Sequence, residues 1–402
     1  MVSLTFAGIL YLMAVREFFA TARFPRRVVI LGLVLAGVWN VEFLRLSPGE
    51  DDDVHRYVWD GRLQRLGYNP YLVIPSDPAV KGLHTAETRN LNNPDMPTPY
   101  PPGAELFFRA VGSIHESAFA LKVAFVCCEF AIALVLLDLL GRTRHQEHLV
   151  LAFLWNPLLA IEVAGSGHVD IVGALLLVTS VAALVRNWRA LSALTFGLAV
   201  VVKFLPIVVL PLYWKRIRIV DAVLAVTVVA LLYVPFVNHG RIPIGSLNTY
   251  VQSFRFNGPV FATLERVARP DLLAGLAVLV GLATASWLRR AKSEPCSDVF
   301  AWPMAASLFC APVVFPWYLL WLMPFLTSAS TLLILVWSVT IIPTYIMWHL
   351  RTLGRAWGPL PGWVMLLEYG CVAVAAAVIS LRRIRRSAVF DAQPVNIPKR
   401  TD

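Results

Sequence analysis

Leu46-Ser47-Pro48-Gly49-Glu50-Asp51-Asp52-Asp53-Val54-His55-Arg56-Tyr57-Val58-Trp59-Asp60-Gly61 is the stretch on which the fold class turns. The residues before it, 28–46, form an apolar run long enough to cross a hydrocarbon core of roughly 30 Å. The four acids from Glu50 to Asp53 cannot follow that run into lipid. Residue 46 therefore marks a membrane surface, and the acids lie just outside it, where they repel one another and raise one another's pKa values. Behind them Arg56, Tyr57, Trp59 and Asp60 fit a short helix on which Asp53/Tyr57 and Asp52/Arg56 are i, i+4 pairs.

Outward from this point, apolar runs of about 18 to 22 residues recur along most of the 402-residue chain. Hydrophobic residues make up 58% and charged residues 15%, against about a quarter charged in a soluble domain, and mean hydropathy is +0.66. The class is an all-α polytopic membrane protein. A net charge of +10 would suit a nucleic-acid partner, but the basic residues sit in short clusters between apolar runs. These are Arg23/Arg26/Arg27, Arg142/Arg144, Arg186/Arg189, Lys215/Arg216/Arg218, Arg289/Arg290/Lys292 and Arg382/Arg383/Arg385/Arg386. That is the positive-inside pattern, and no nucleic-acid role is expected. Cys127, Cys128, Cys310 and Cys371 lie in apolar runs and Cys296 in an expected cytoplasmic loop, so no disulfide framework or cysteine metal site is expected. The first run lacks a basic n-region and carries Arg16-Glu17 near its end, which favours a retained span over a cleaved signal.

With the basic clusters as cytoplasmic markers, eleven crossings follow: 4–20, 28–46, 119–140, 148–165, 169–185, 219–237, 271–288, 299–315, 317–328, 331–348 and 363–381. Residues 47–118 form a long first outer loop with short juxtamembrane helices, 238–268 a second outer loop, and 382–402 a cytoplasmic basic tail. Residues 190–214 carry basic flanks at both ends, and about 25 residues cannot cross twice at 1.5 Å each. A re-entrant helix pair broken at Lys203-Phe204-Leu205-Pro206 satisfies both facts, since Pro206 disfavours helix in the residue before it. The chain reads as a single integral domain, 1–402. It shows no internal repeat and none of the two-fold hydropathy symmetry of transporters.

The polar residues gather at the outer ends of these runs. A carboxylate beside an Arg near the interface, as Asp52 or Asp53 is beside Arg56, suits a general base for an incoming hydroxyl. Gly67-Tyr68-Asn69-Pro70-Tyr71, Asn92-Asn93-Pro94 and Pro97-Thr98-Pro99-Tyr100-Pro101-Pro102-Gly103 are rigid turns bearing side chains that bind hydroxylated ligands. Gly165-Ser166-Gly167-His168-Val169-Asp170 is a tight outer turn, which needs its glycines but not His168 or Asp170. Lys203 is a lone cation within an apolar stretch, where it lines a polar cavity or snorkels. Arg255, with Arg241 and Arg266, lies on the outer side and can hold a lipid phosphate.

Asp52 to Gly61 followed by Gly67-Tyr68-Asn69-Pro70-Tyr71 resembles the first outer loop of the glycosyltransferase C superfamily. More narrowly, it resembles the bacterial polyprenyl-phosphate-mannose-dependent α-mannosyltransferase branch. The likeness continues in order through Pro97-Thr98-Pro99-Tyr100-Pro101-Pro102, Trp155-Asn156-Pro157, Gly165–Asp170, Lys203-Phe204-Leu205-Pro206 and Pro316-Trp317-Tyr318-Leu319-Leu320-Trp321. His55 and Pro99 depart from it, standing where a Tyr and an Ile-like residue are expected.

The resemblance implies transfer of a hexose, by family default mannose, from polyprenyl monophosphate to a hydroxyl of an envelope glycolipid or polysaccharide. Transfer would invert the anomeric centre at the outer, non-cytoplasmic face of the inner (plasma) membrane. The base would be Asp52 or Asp53, with Asp52 slightly preferred. Arg56, Tyr57, Asp60, Asn69, Tyr71, Tyr100, His168, Asp170, Lys203 and Arg255 would bind substrate, and Lys203, Arg56 and Arg255 would balance the leaving phosphate. No cofactor is required on this reading, although the acidic run has the oxygen ligands to hold a divalent cation. The competing readings are a transporter or flippase for a lipid-linked sugar and a non-enzymatic assembly partner. The first expects ionisable groups near the bilayer midplane, and here they cluster at the outer face.

Overall fold

A computed structural model describes residues 2–48, 53–143, 146–291, 297–355 and 358–391. The described chain is helical, and its extended pairing is confined to two isolated bridges, Asn238 with Arg241 and Phe256 with Val313. Seven segments are long and apolar enough to cross a membrane: Ser3–Ala20, Arg26–Arg45, Ala118–Arg142, Ile219–Phe236, Pro270–Ala291, Ala329–Thr352 and Gly362–Leu381. An eighth is the pair Glu147–Leu154 and Pro157–Ser166, bent by 53°. The bend falls at Asn156-Pro157, where proline removes a helix donor and Asn156 caps the new start by accepting from the Leu158 N–H.

In chain order the helices used below are α1 (Val2–Ala20), α2 (Arg26–Arg45), α3 (Asp53–Arg65), α4 (Pro102–Ile114), α5 (Ala118–Thr143), α6 (Glu147–Leu154) and α7 (Pro157–Ser166). They continue with α8 (Asp170–Val185), α9 (Arg189–Val200), α10 (Ile219–Tyr233), α11 (Leu247–Ser253), α12 (Pro259–Leu264), α13 (Pro270–Ala291), α14 (Ala301–Phe309), α15 (Leu332–Thr340), α16 (Ile346–Thr352) and α17 (Gly362–Asp391).

Of the eleven expected crossings, seven or eight correspond, among the described residues, to segments long and apolar enough to cross unaided. The expected span 169–185 is α8, whose 16 residues reach only about 24 Å and are largely buried. The expected span 299–315 stops as α-helix at Phe309, because Pro312 and Pro316 follow closely. The expected span 317–328 is two short 3-10 pieces, Pro316–Trp321 and Met323–Phe325. Hydropathy detects burial in protein as readily as burial in lipid, and these segments are enclosed by other helices. Residues 190–214 comprise α9, a turn through Lys203, and a 3-10 stretch Leu205–Tyr213. The four described cysteines are free.

Three contacts set the frame of the outer side. Lys122 on α5 is buried, and its Nζ donates to the carbonyls of Leu46, Leu44 and Phe43 at 2.8, 3.3 and 3.4 Å. It thereby closes the C-terminal end of α2, whose last carbonyls have no partner within the helix. The outer loop has its own small core of Trp59, Leu63 and Leu91, with Trp59 stacked on His84 at 4.0 Å. Gly103, at the start of α4, donates its N–H to the Val201 carbonyl at 2.8 Å, so close that a Cβ there would lie 2.6 Å from that oxygen. The outer loop is thus docked on the turn that carries Lys203.

Candidate active site

Asp53 opens α3, where a carboxylate suits the positive end of the helix. The Asn92 amide donates to its Oδ1, and the Tyr100 hydroxyl donates to its Oδ2 at 3.3 Å. The Nε2 of His168 faces the same Oδ2 at 3.9 Å. On its other side the His168 ring meets Glu162, with Nδ1 2.7 Å from Oε2. Both side chains are buried. Glu162 reaches this position because residues 160–166 wind as a π-helix that ends at Gly167 in the left-handed region, with φ +83. The Trp317 indole stacks on the His168 ring at 4.2 Å and fixes its plane.

Two residues on, at the N-terminus of α8, buried Asp170 binds Lys203. The Lys203 Nζ donates to Oδ1 at 2.7 Å, and the Trp321 Nε1 donates to the same oxygen at 2.7 Å. Oδ2 of Asp170 is buried with no hydrogen-bond partner among the described residues. The Lys203 ammonium also lies 4.0 Å above the Tyr318 ring, and 23% of its side chain remains exposed. The Tyr318 hydroxyl meets that of Tyr250 on α11. Burial pushes the Tyr250 phenol upward against the hydrogen bond of Tyr318, with the charges of Asp53 and Asp170 adding to the rise. Asp53, His168, Asp170, Lys203, Tyr100, Tyr250 and Tyr318 accordingly surround one place.

The remaining sequence candidates support this place from behind. The Arg56 guanidinium is buried against Asp60, with Nε 3.1 Å from Oδ1, and donates to the Met96 carbonyl at 3.0 Å. It braces the segment that leads to Tyr100. Asp60 belongs to a buried group with Glu105, whose oxygens accept from the Thr98 hydroxyl at 2.6 Å and the Gln64 amide at 2.8 Å. Burial raises both carboxyls, that of Glu105 well above its ordinary value, with the neighbouring Asp60 charge adding to the shift. Tyr57 stacks on Phe108 at 4.4 Å and meets Tyr100 edge-on at 5.1 Å. Tyr71 donates to the Tyr100 carbonyl at 2.6 Å, and Asn69 to the Phe236 carbonyl at 3.0 Å. Arg255 pairs with Glu265 at 2.6 Å, lies 4.9 Å above the Phe261 ring, and donates to the Val251, Gln252 and Phe254 carbonyls. These contacts turn it toward its own loop and not to Lys203 or Asp53. Asp52 lies outside the described residues.

The sequence reading missed Glu162, Tyr250, Trp317, Tyr318 and Trp321 as site members, and placed Asn92 only in a ligand-binding turn. Glu162 left a signal, an acid inside an apolar run. The Pro316–Trp321 motif carried a resemblance, but nothing in it revealed that its rings pack on His168 and Lys203. Among the described residues, no three or more His, Cys, Asp or Glu side chains gather as a metal site.

The family model described as "Alpha-(1->6)-mannopyranosyltransferase, N-terminal domain" matches residues 1–217. The chain belongs to this mannosyltransferase family. It is a glycosyltransferase, in agreement with the ordered motifs of the glycosyltransferase C branch, and a multi-pass membrane protein. The matched region holds Asp53, His168, Asp170 and Lys203, whereas Tyr250, Trp317 and Tyr318 lie beyond it. No curated protein matches the chain. Among solved structures, ArnT from Cupriavidus metallidurans bound to undecaprenyl phosphate is similar over 93% of this chain and 67% of its own, at 16% identity and a TM-score of 0.49.

Proposed function

We propose that the protein transfers mannose from a polyprenyl-phosphate donor to a hydroxyl of an envelope glycolipid or polysaccharide, forming an α(1→6) link with inversion. The observation that carries this reading is the placement of Asp53, backed by His168 and Glu162, opposite the Lys203–Asp170 pair. One side offers a carboxylate for an incoming hydroxyl and the other a cation for a departing phosphate.

Asp53 takes the proton of the acceptor hydroxyl as its oxygen attacks the anomeric carbon. The bond from that carbon to the phosphate oxygen breaks, and the polyprenyl phosphate leaves with both electrons. Lys203, already in place, balances the charge that develops on it, so little reorganisation is needed at the moment of reaction. The unpartnered Oδ2 of Asp170 accepts a sugar hydroxyl, which its burial otherwise leaves costly. Asp52, in the same acidic run, is the alternative base. No metal is required, because a monophosphate leaving group needs only this cationic support. The basic clusters put the opposite end of the spans in the cytoplasm, so the reaction runs on the outer face of the inner membrane. The short helices α8 and α9 and the 3-10 stretch Leu205–Tyr213 complete the membrane domain, packed against the longer spans α5, α10 and α13.

The test is transfer of labelled mannose from polyprenyl-phosphate mannose in membranes holding wild type, Asp53→Asn or Asp52→Asn at matched protein levels. Transfer by wild type that one substitution abolishes and chelation leaves intact is the expected result. Equal transfer by all three proteins would overturn the assignment of the base, and silence of the wild type that of the donor.

A further inference from the structure

Glu368 lies in the last span, far along the chain from the acidic loop, and is fully buried. Its Oε1 accepts from the Trp337 Nε1 at 2.7 Å, and the Asn257 Nδ2 donates to both of its oxygens at 3.1 and 3.0 Å. The next residue, Tyr369, donates its hydroxyl to the Asn257 backbone carbonyl at 2.7 Å. One turn of α17 therefore grips Asn257 by side chain and main chain together. Asn257 needs such a grip, since its backbone is left-handed at φ +53, a region non-glycine residues seldom occupy.

What this grip holds is the route to the site. Phe256, immediately before, donates its N–H to the Pro312 carbonyl at 3.1 Å and accepts from the Val314 N–H at 2.8 Å. Gly258, immediately after, lies so close to the same segment that a Cβ would sit 2.5 Å from the Ala311 carbonyl. The Phe256 ring packs on Phe315 at 4.7 Å, Phe315 stacks on Trp317 at 4.4 Å, and Trp317 stacks on His168 at 4.2 Å. A buried carboxyl in a membrane span is costly, and nothing in the transfer chemistry calls for one at this place.

We propose that Glu368 is a positioning residue: it latches residues 256–258 to the last span and so holds Trp317 flat against the His168 ring. This rests on the reading of His168 and Asp53 as the reacting centre. The C-terminal part of the chain, outside the matched region, thereby sets the plane of an imidazole in the N-terminal part.

The variants are Glu368→Ala and Glu368→Gln, with Glu129→Ala as control. Glu129 is also a buried carboxyl in a span held by an asparagine, with Asn40 Nδ2 3.1 Å from its Oε1, but it holds α2 and not the segment that leads to His168. The Asn257 Oδ1 is buried without a partner, so a turned Asn257 amide can accept from the glutamine of Glu368→Gln while that glutamine's oxygen keeps the Trp337 bond. Two quantities are read on purified full-length protein: hydrogen exchange at the Phe256 and Val314 amides, and kcat and KM for mannose transfer per folded molecule.

Glu368→Ala should speed exchange at both amides and lower kcat/KM at least tenfold. Glu368→Gln should stay within about threefold of wild type, and Glu129→Ala should lower only the yield of folded protein. Unchanged exchange in Glu368→Ala overturns the latch, and faster exchange with unchanged kinetics overturns its positioning role. Exchange needs no turnover. A wild type that transfers nothing, while Glu368→Ala loosens both amides, therefore supports the latch and overturns the assigned reaction.

Discussion

His168 and Glu162 are locked together, Nδ1 to Oε2 at 2.7 Å, while the opposite ring nitrogen faces Asp53. The Glu162 carbonyl accepts from Nδ1 at 3.3 Å with the carboxylate beside it, so Nδ1 carries the ring proton and Nε2 points at Asp53. Glu162→Gln keeps the shape but lets the amide present either its oxygen or its nitrogen to the ring. Misplacement of a reacting group by about 1 Å can cost on the order of a hundredfold. Mannose transfer by Glu162→Gln should fall roughly 10- to 100-fold with expression unchanged; full activity would show that His168 needs no such partner.

Loss of the base should cost more. General-base catalysis contributes about 10²- to 10⁴-fold, and Asp53→Asn should lose rate within that range. Asn at this position can still accept from Asn92 through its one oxygen and donate its Nδ2 to the Tyr100 hydroxyl, so folding should survive. Circular dichroism and yield check the fold, and transfer from polyprenyl-phosphate mannose checks the rate.

Lys203 and Asp170 separate stability from chemistry. Lys203→Met leaves the buried Asp170 carboxylate without its cation, and breaking a buried pair from one side costs about 3 kcal/mol or more. Adding Asp170→Asn removes the stranded charge while the Trp321 N–H can still find an acceptor. The double variant should regain thermal stability in detergent and still fail to transfer. If it regains transfer as well, Lys203 serves the fold and not the phosphate.

The Glu105–Asp60 group predicts a pH dependence outside the membrane spans. Burial holds the Glu105 carboxyl well above its ordinary value of 4.5, so the folded protein keeps a proton that the unfolded chain releases more easily. The contribution is complete below about 4.5 and is lost as pH rises through the folded-state value. Melting temperature of the wild type should therefore fall as pH is raised from 5 to 8. Glu105→Gln, which keeps a neutral side chain at every pH, should show a shallower fall; parallel curves would mean that Glu105 is ionised when folded.

Gly173 faces the ring that holds Asp170. A Cβ there would lie 1.8 Å from Trp321 Cη2, and Trp321 is completely buried. Gly173→Ala must displace the indole that donates to Asp170. Overpacking of this kind costs about 1–3 kcal/mol, and it should lower both the melting temperature and transfer. Gly37→Ala, where a Cβ meets nothing within 4 Å, is the matched control.

Much of the molecule was legible before any coordinates. Apolar runs bounded by Arg clusters located the long spans, because lipid imposes a length and the translocation machinery a charge bias. The break at Lys203–Pro206 was legible because proline acts locally. The true length of the segments near 299–328 was not, since a run enclosed by protein looks as apolar as one enclosed by lipid. In the site, Asp53, His168, Asp170 and Lys203 were visible as polar residues at the ends of apolar runs, and the structure brings them together. Arg56, read beside Asp52 or Asp53, and Arg255 were singled out as cations for the leaving phosphate, but the fold pairs Arg56 with Asp60 and Arg255 with Glu265. Trp317 and Tyr318 were hidden for a related reason: an aromatic in an apolar run gives no sign of which polar group it will cover.

Lys122 has a consequence for how the protein is made. Its ammonium seals the end of α2, yet it belongs to α5, which leaves the ribosome some seventy-six residues after Leu46. Until α5 has been inserted, the base of the acidic loop has open carbonyls and no fixed exit direction. Insertion of the third long span is thus the event that gives the loop its shape, and His168, Lys203 and Trp317 are synthesised later still. A chain stalled before residue 122 would carry the acids of the loop to the membrane surface with no site for them to join.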